Sequence, residues 1–297
     1  MMTSVAGVAA ISGGSSLAWL SDWAKEARRD PVANRQKFEN PKIPVEIDGT
    51  KVFFISDFHL CLGKNLLWDL RHAEDFQKMI EEVRAEISEK DILVLGGDYV
   101  AYPHFEARRD LPEVEKLLVN FSSFSQTKFA LLGNHDWEYG EKNVAQIRKF
   151  LERADFDVLA DESRILKVGA AELPIYGTKD WRLGGMEISE VQKFAEEFRN
   201  QFKLILTHNP DWVQKNSSGF EDSLVLAGHT HGGHFSNSWI RAAALYQAKY
   251  KSDLIFGRHK LRDLVELIIS NGVGAALPFR QNRPPDYLVV ELCRSGK

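Results

Sequence analysis

The 297-residue chain has only two cysteines, Cys61 and Cys293. Two thiols cannot build a disulfide framework, and they leave no cluster for soft thiolate metal chemistry, so a reduced, cytoplasmic setting is expected. An excess of positive charge is also missing. Lys and Arg number 38 against 42 Asp and Glu, for a net charge of −4, which argues against a nucleic-acid binder. No apolar run is long enough to span a bilayer: the best stretch, residues 4–20 (SVAGVAAISGGSSLAWL), is broken by Ser and Gly. No Lys or Arg precedes it, as a signal peptide would require. There is no internal repeat and no low-complexity tract.

What the chain does have is apolar runs with chemistry behind them. Hydrophobic residues make up 44% of the sequence, enough for a large α/β core. Five short runs read as buried strands: KVFFIS, DILVL, KFALL, KLIL and LVLA. Each leads directly into a polar motif. In order these are Asp57-Phe58-His59, Gly97-Asp98, Gly133-Asn134-His135-Asp136, Thr207-His208-Asn209 and Gly228-His229-Thr230-His231. Parallel strands ending together deliver the loops at their C-terminal ends to one sheet edge. Further strands are expected at 172–177 and 287–292. Helices are expected at 69–90, with Leu70, Ala73, Phe76, Ile80, Val83 and Ile87 on one face, and at 113–121, 140–153 and 188–200.

These residue types fit a two-metal hydrolase. Two neighbouring cations need an anionic bridge, and Asp98, alone in its motif, is the natural one. Imidazole, carboxylate and amide oxygen suit Mn, Fe, Zn or Co. A single histidine beside a strand is usually a packing or surface residue. Five of the nine histidines, however, fall inside the motifs, each within two residues of Asp, Asn or Gly. The other four, His72, His104, His234 and His259, keep the ordinary reading.

The ordered set resembles the calcineurin-like metallophosphoesterases, whose pattern is DxH, GDxx, GNH[DE], a lone H and GHxH. The resemblance implies an α/β fold, a four-layer sandwich of two mixed β-sheets flanked by helices. It implies two divalent metal ions, Mn2+ foremost. Asp57, His59, Asp98 and His231 would hold one, and Asp98, Asn134, His208 and His229 the other. His135 would protonate the leaving oxygen, with Asp136 orienting its ring. Ala101 stands where many members carry a second acid. The strings LGGDYV, LTHNPD and AGHTHGGH resemble a bacterial branch of membrane-associated phosphodiesterases. That branch includes a UDP-2,3-diacylglucosamine pyrophosphatase of lipid A synthesis. Members often have Gln where this chain has His234. A non-catalytic scaffold on the same fold would be free to lose these residues, and none is lost.

Two regions lie outside the motif core. Residues 1–44 read as an N-terminal extension ahead of a domain at 45–297. In the extension, Leu17, Leu20, Trp23 and Ala27 recur at helical spacing beside Lys25, Arg28 and Arg29. Such a helix either packs on its own domain or makes peripheral contact with the cytoplasmic face of the inner membrane. The second region, an apolar and basic insert at 235–262, contains Trp239 and Arg258 and suits a substrate with phosphate and acyl parts. Arg108 and Arg109 are further phosphate-binding candidates. The expected partner is a phosphate-containing substrate, a nucleotide-linked lipid foremost, and no nucleic acid.

Overall fold

The computed structural model describes residues 16–60, 64–65, 68–69, 71–101, 107–138, 140–236, 254–261, 265–275 and 279–296. The strands run β1 (Val32–Asn40), β2 (Thr50–Ile55), β3 (Lys64–Asn65), β4 (Trp68–Asp69), β5 (Ile92–Leu95), β6 (Thr127–Ala130) and β7 (Asp157–Val158). They continue as β8 (Glu162–Val168), β9 (Ala171–Gly177), β10 (Lys203–Leu206), β11 (Ser223–Ala227), β12 (Gly257–Lys260), β13 (Val265–Ile269) and β14 (Asp286–Arg294). The helices are α1 (Ser16–Ala27), α2 (Gln77–Glu86), α3 (Ala107–Val119), α4 (Asn134–Glu138), α5 (Glu141–Arg153), α6 (Ile188–Glu197) and α7 (Val213–Asn216).

Two six-stranded mixed sheets carry the fold, in the orders β1-β14-β2-β5-β6-β7 and β12-β13-β11-β10-β9-β8. Their packing follows from side-chain alternation along the strands. Val52 and Phe54 of β2 join Val94, Leu204, Leu206, Leu224 and Leu226 in the core between the sheets. Phe53 and Ile55 point the other way, into a core with Phe76, Ile80, Val83, Leu117, Ile147 and Leu151. On the far side of the second sheet, Ile205 and Val225 pack with Val191 and Phe194 of α6. Strands buried on both faces need apolar residues at every position, which is why the five motif-bearing runs are continuous. Within each sheet the strands that end at the motifs are parallel, β2-β5-β6 in one and β10-β11 in the other.

Several elements differ from expectation. The first sheet begins at residue 32, ahead of the boundary expected at 45, because β1 pairs in parallel with β14. Its sequence, VANRQKFEN, is polar since it forms an edge whose outward residues meet solvent. The helix expected from residue 69 starts as a 3-10 turn at Ala73–Phe76 and becomes α-helical at Gln77, with His72 ahead of it. Leu70 lies outside the described residues. Most of the 235–262 insert, Trp239 included, also lies outside them. Its described end contains the ladder strand β12, paired antiparallel to β13. No helix among the described residues is long and apolar enough to cross a membrane.

Candidate metal centre

Backbone hydrogen bonds join the first motif loop to the second, and the fourth to the fifth through the Gly228 N–H and the His208 carbonyl at 3.0 Å. The Asp57 N–H donates to the Gly97 carbonyl at 2.9 Å, and the His59 N–H to the Asp98 carbonyl at 3.1 Å. Asp57, His59, Asp98, His229, His231 and His234 all have positive φ, between 49° and 70°. Non-glycine residues in that region are strained, and they concentrate where a function fixes side-chain direction. Close approach accounts for Gly228: a Cβ there would lie 2.3 Å from Ser56 Oγ and 2.5 Å from Asp57 Oδ2.

Three buried groups of donor atoms result among the described residues, one of them His59, Asp98 and His135, and the other two fall within the expected ligand sets. In the first of those two, Asp57, His59 and His231 bring their atoms within 4.8 Å of one another, with His59 Nε2 2.9 Å from His231 Nε2. In the second, Asp98, His208 and His229 do the same, and His208 Nε2 lies 3.2 Å from Asp98 Oδ2. Asp98 Oδ2 is also 3.6 Å from His59 Nε2, so it stands between the two groups. His208 Nδ1 is 2.8 Å from the Gly96 carbonyl, which directs Nε2 inward. Asn134 joins at the start of α4, where it is buried.

These residues fit divalent cations. Asp98 Oδ2, Asn134 Oδ1 and His208 Nε2 are buried yet make no well-formed hydrogen bond. Buried polar atoms are seldom left so unless another partner takes them. Burial alone would raise the Asp98 carboxyl, but the His208 and His135 rings outweigh it and hold it well below the usual carboxylate range. Asp57 behaves alike: burial opposes its charge, and His231, His59 and His208 restore it. Burial also works against a charged His208, yet Asp98 brings it up to about 10. The pocket therefore has an anionic centre that attracts positive charge.

His135 and Asp136 have different surroundings. The Asp136 carboxylate accepts the backbone N–H groups of Asp98 at 2.9 Å, Tyr99 at 2.9 Å and Gly133 at 2.8 Å. It therefore holds the loop that carries Asp98. The carboxylate at the His135 ring belongs instead to Glu138, 3.0 Å from Nδ1 and one helical turn along α4. Burial disfavours the His135 cation, but Asp98 and Glu138 outweigh it and raise the ring above its ordinary value. Burial and the Asp98 charge push Asp136 up to about 7, against the pull of the Gly133 and Tyr99 amides.

Arg280 and His234 were not singled out by their motifs. Buried Arg280 donates to the Asn271 and Gly274 carbonyls at 2.7 and 2.5 Å, and its Nη2 lies 3.4 Å from His231 Nδ1. It braces the 271–274 loop, whose Gly274 N–H donates to the Asp57 carbonyl at 2.7 Å. The His234 ring stacks on His231 with centroids 4.9 Å apart. Position after GHTHGG was a signal for His234, whereas nothing in LPFRQNRPP marks Arg280.

The expected substrate residues fare unevenly. Arg258 lies on β12, where Nε donates to Glu266 at 2.6 Å and Nη1 to the Lys37 carbonyl at 2.7 Å. It is held by those partners and does not reach toward the metal centre. Arg108 and Arg109 fall in the first turn of α3, and the described structure gives no side-chain placement for them. The α1 helix is docked, at least at its C-terminal end. Trp23 packs edge-on against Phe235 at 5.4 Å, and Glu26 accepts the N–H groups of Asn282 and Arg283, each at 2.9 Å.

The facing sheets thus bring buried Asp, His and Asn side chains together where parallel strands end. A model of the calcineurin-like phosphoesterase family matches residues 50–269, and the chain belongs to that family. It is similar to an uncharacterized metallophosphoesterase of Aquifex aeolicus, 27% identical over 87% of this chain and 90% of that protein. It is also similar to one of Campylobacter jejuni, 24% identical over 89% of this chain. The chain spans 63% of the length of the Campylobacter protein and 59% of a Helicobacter pylori relative. Among solved structures, a Thermus thermophilus sulfate thiohydrolase SoxB aligns over 77% of this chain and 52% of its own, at 13% identity and a TM-score of 0.46.

Proposed function

We propose that the site binds two divalent cations, Mn2+ foremost with Fe, Zn and Co as alternatives, and hydrolyses a phosphodiester or pyrophosphate. Asp57, His59, Asp98 and His231 would hold one ion, and Asp98, Asn134, His208 and His229 the other. The observation that carries this reading is the convergence of buried donor atoms, those of Asp57, His59 and His231 and those of Asp98, His208 and His229 each lying within 4.8 Å of one another. Bound there, the ions supply Lewis-acid stabilisation of phosphoryl oxygens and a nucleophile from water. His135, with its cationic form favoured by Asp98 and Glu138, gives its proton to the leaving oxygen as the P–O bond breaks. Asp136 keeps Asp98 in place.

The narrower substrate is UDP-2,3-diacylglucosamine, cleaved by water at its pyrophosphate to UMP and 2,3-diacylglucosamine 1-phosphate. Its support is the sequence branch and the apolar, basic composition of 235–262, which together also favour peripheral contact with the inner membrane. The test is a panel of phosphomonoester, phosphodiester and nucleotide-lipid substrates with Mn2+. Release of UMP from UDP-2,3-diacylglucosamine is expected. No release, with a simple diester still cleaved, removes the lipid substrate and keeps the phosphoesterase. No turnover of any member removes the catalytic reading.

A further inference from the structure

The loop after β9, residues 178–186 (TKDWRLGGM), belongs to none of the five motifs and lies at the metal centre. It leaves its strand beside the element that delivers His208, with the Thr178 N–H on the Leu206 carbonyl at 3.0 Å. Asp180, fully buried, folds it: Oδ1 accepts the N–H groups of Arg182 at 2.9 Å and Leu183 at 2.7 Å. The Gly184 N–H returns to the Asp180 carbonyl at 3.1 Å. A Cβ on Gly184 would lie 3.0 Å from Trp137 Nε1, so the loop reaches from the second sheet to the helix bearing Asn134 and His135. It forms a wall beside the strand end that leads to His208 and the helix that carries Asn134 and His135.

The outward side chains of this wall read apolar, cationic, apolar. Trp181 is 37% exposed and Leu183 49% exposed, with exposed Arg182 between them. Arg182 has no ion-pair partner among the described residues. It follows the buried Asp180 on the loop that runs from beside β10 to α4. A cation beside a phosphoryl site, on backbone fixed by a buried carboxylate, suits a further phosphoryl oxygen. Flanking Trp and Leu suit an apolar group attached to it.

We infer that this loop binds the part of the substrate beyond the reacting phosphorus: Arg182 takes a second phosphoryl group, and Trp181 and Leu183 take an apolar chain linked to it. The inference rests on the phosphoesterase reading and narrows it to organic pyrophosphates with an apolar arm. Binding can be measured by calorimetry on Mn2+-loaded protein with two probes, P1-uridine-P2-methyl pyrophosphate and P1-uridine-P2-dodecyl pyrophosphate. R182Q is expected to weaken both about tenfold, the scale of one charge-assisted hydrogen bond. The double variant W181S/L183S is expected to leave the methyl probe within about twofold and to remove the wild-type preference for dodecyl. Metal content, measured in each variant, confirms a folded site.

Three results would overturn the inference: no binding of either probe by the wild type, R182Q binding both as the wild type does, or W181S/L183S weakening the two probes equally. Transfer of the dodecyl preference to membrane vesicles or to a protein partner would do so as well. Turnover of bis-p-nitrophenyl phosphate is measured separately. Its absence beside intact probe binding would overturn the catalytic reading and leave the binding wall standing.

Discussion

Asp136 and Asp98 grip one another in both directions along the chain. The Asp98 N–H donates to Asp136 Oδ2 at 2.9 Å, while the His135 N–H, next to Asp136, donates to Asp98 Oδ1 at 2.8 Å. The carboxylate central to the metal centre is thus aimed by a second carboxylate that points away from the centre, onto backbone amides.

Removing either carboxylate should therefore empty the site. Asp98→Ala deletes the proposed shared ligand, and both bound metal and activity should be lost. Asp136→Ala deletes none of the proposed ligands, yet it leaves the N–H groups of Asp98, Tyr99 and Gly133 without their acceptor. Elemental analysis should show metal well below the wild-type content in both variants. Full metal occupancy in D136A would show that Asp98 needs no such brace.

His135→Ala separates an acid from a ligand. Metal content should stay near that of the wild type, while kcat falls about 10²-fold for esters with alkoxide leaving groups. For p-nitrophenyl esters, whose leaving oxygen needs little protonation, the loss should be much smaller. Loss of metal together with activity would make His135 a ligand, a role its ring could reach, since it lies within 4.8 Å of the His59 and Asp98 donor atoms.

Gly228→Ala tests crowding at the centre. The added methyl meets Ser56 Oγ and Asp57 Oδ2 at distances no real contact allows. Asp57 must move, and with it the Oδ atoms that accept the His229 N–H at 3.1 Å. The variant should fold, keep its helical circular dichroism and bind metal more weakly than the wild type. Wild-type metal affinity in G228A would contradict the close packing described.

Lys203 offers a pH test remote from the chemistry. Burial lowers its ammonium to about 8, while Nζ donates to the Gln201 and Glu221 carbonyls at 3.2 and 2.6 Å. An unfolded lysine titrates near 10.4. From about pH 8 to 10.4 the unfolded chain binds more protons than the folded one, so this group makes stability rise with pH. In urea titrations, wild type minus Lys203→Met should show that rise. A flat difference across the window would show that Lys203 is not depressed.

The site was legible because its chemistry sits two to five residues past continuous apolar strands, a pattern local enough to read. Asn134, His208 and His229 all obey it. Side-chain partnerships were harder, since sequence adjacency misleads about direction. Asp136 is next to His135 yet turns to the backbone, while Glu138, a helical turn on, meets the ring. Arg280 approaches His231 from 49 residues away, and no local pattern records such a contact. Strand β1 was missed because half its residues face solvent and its sequence is polar. Arg258 looked available because its partner Glu266 lies across a hairpin that composition does not disclose.

Strand β14 has a consequence for how the chain is made. Residues 286–294 enter the first sheet between β1 and β2, pairing with residues 32–40 on one side and 50–54 on the other. On the ribosome, two of the earliest strands must wait, with unpaired edges, until almost all the described chain has emerged. Closing so long a loop is slow, and open strand edges invite pairing with other chains. Synthesis stalled between residues 269 and 286 should yield a chain with every proposed metal ligand present and its first sheet still divided. Such an intermediate should expose open strand edges to other chains although it lacks none of the proposed ligands.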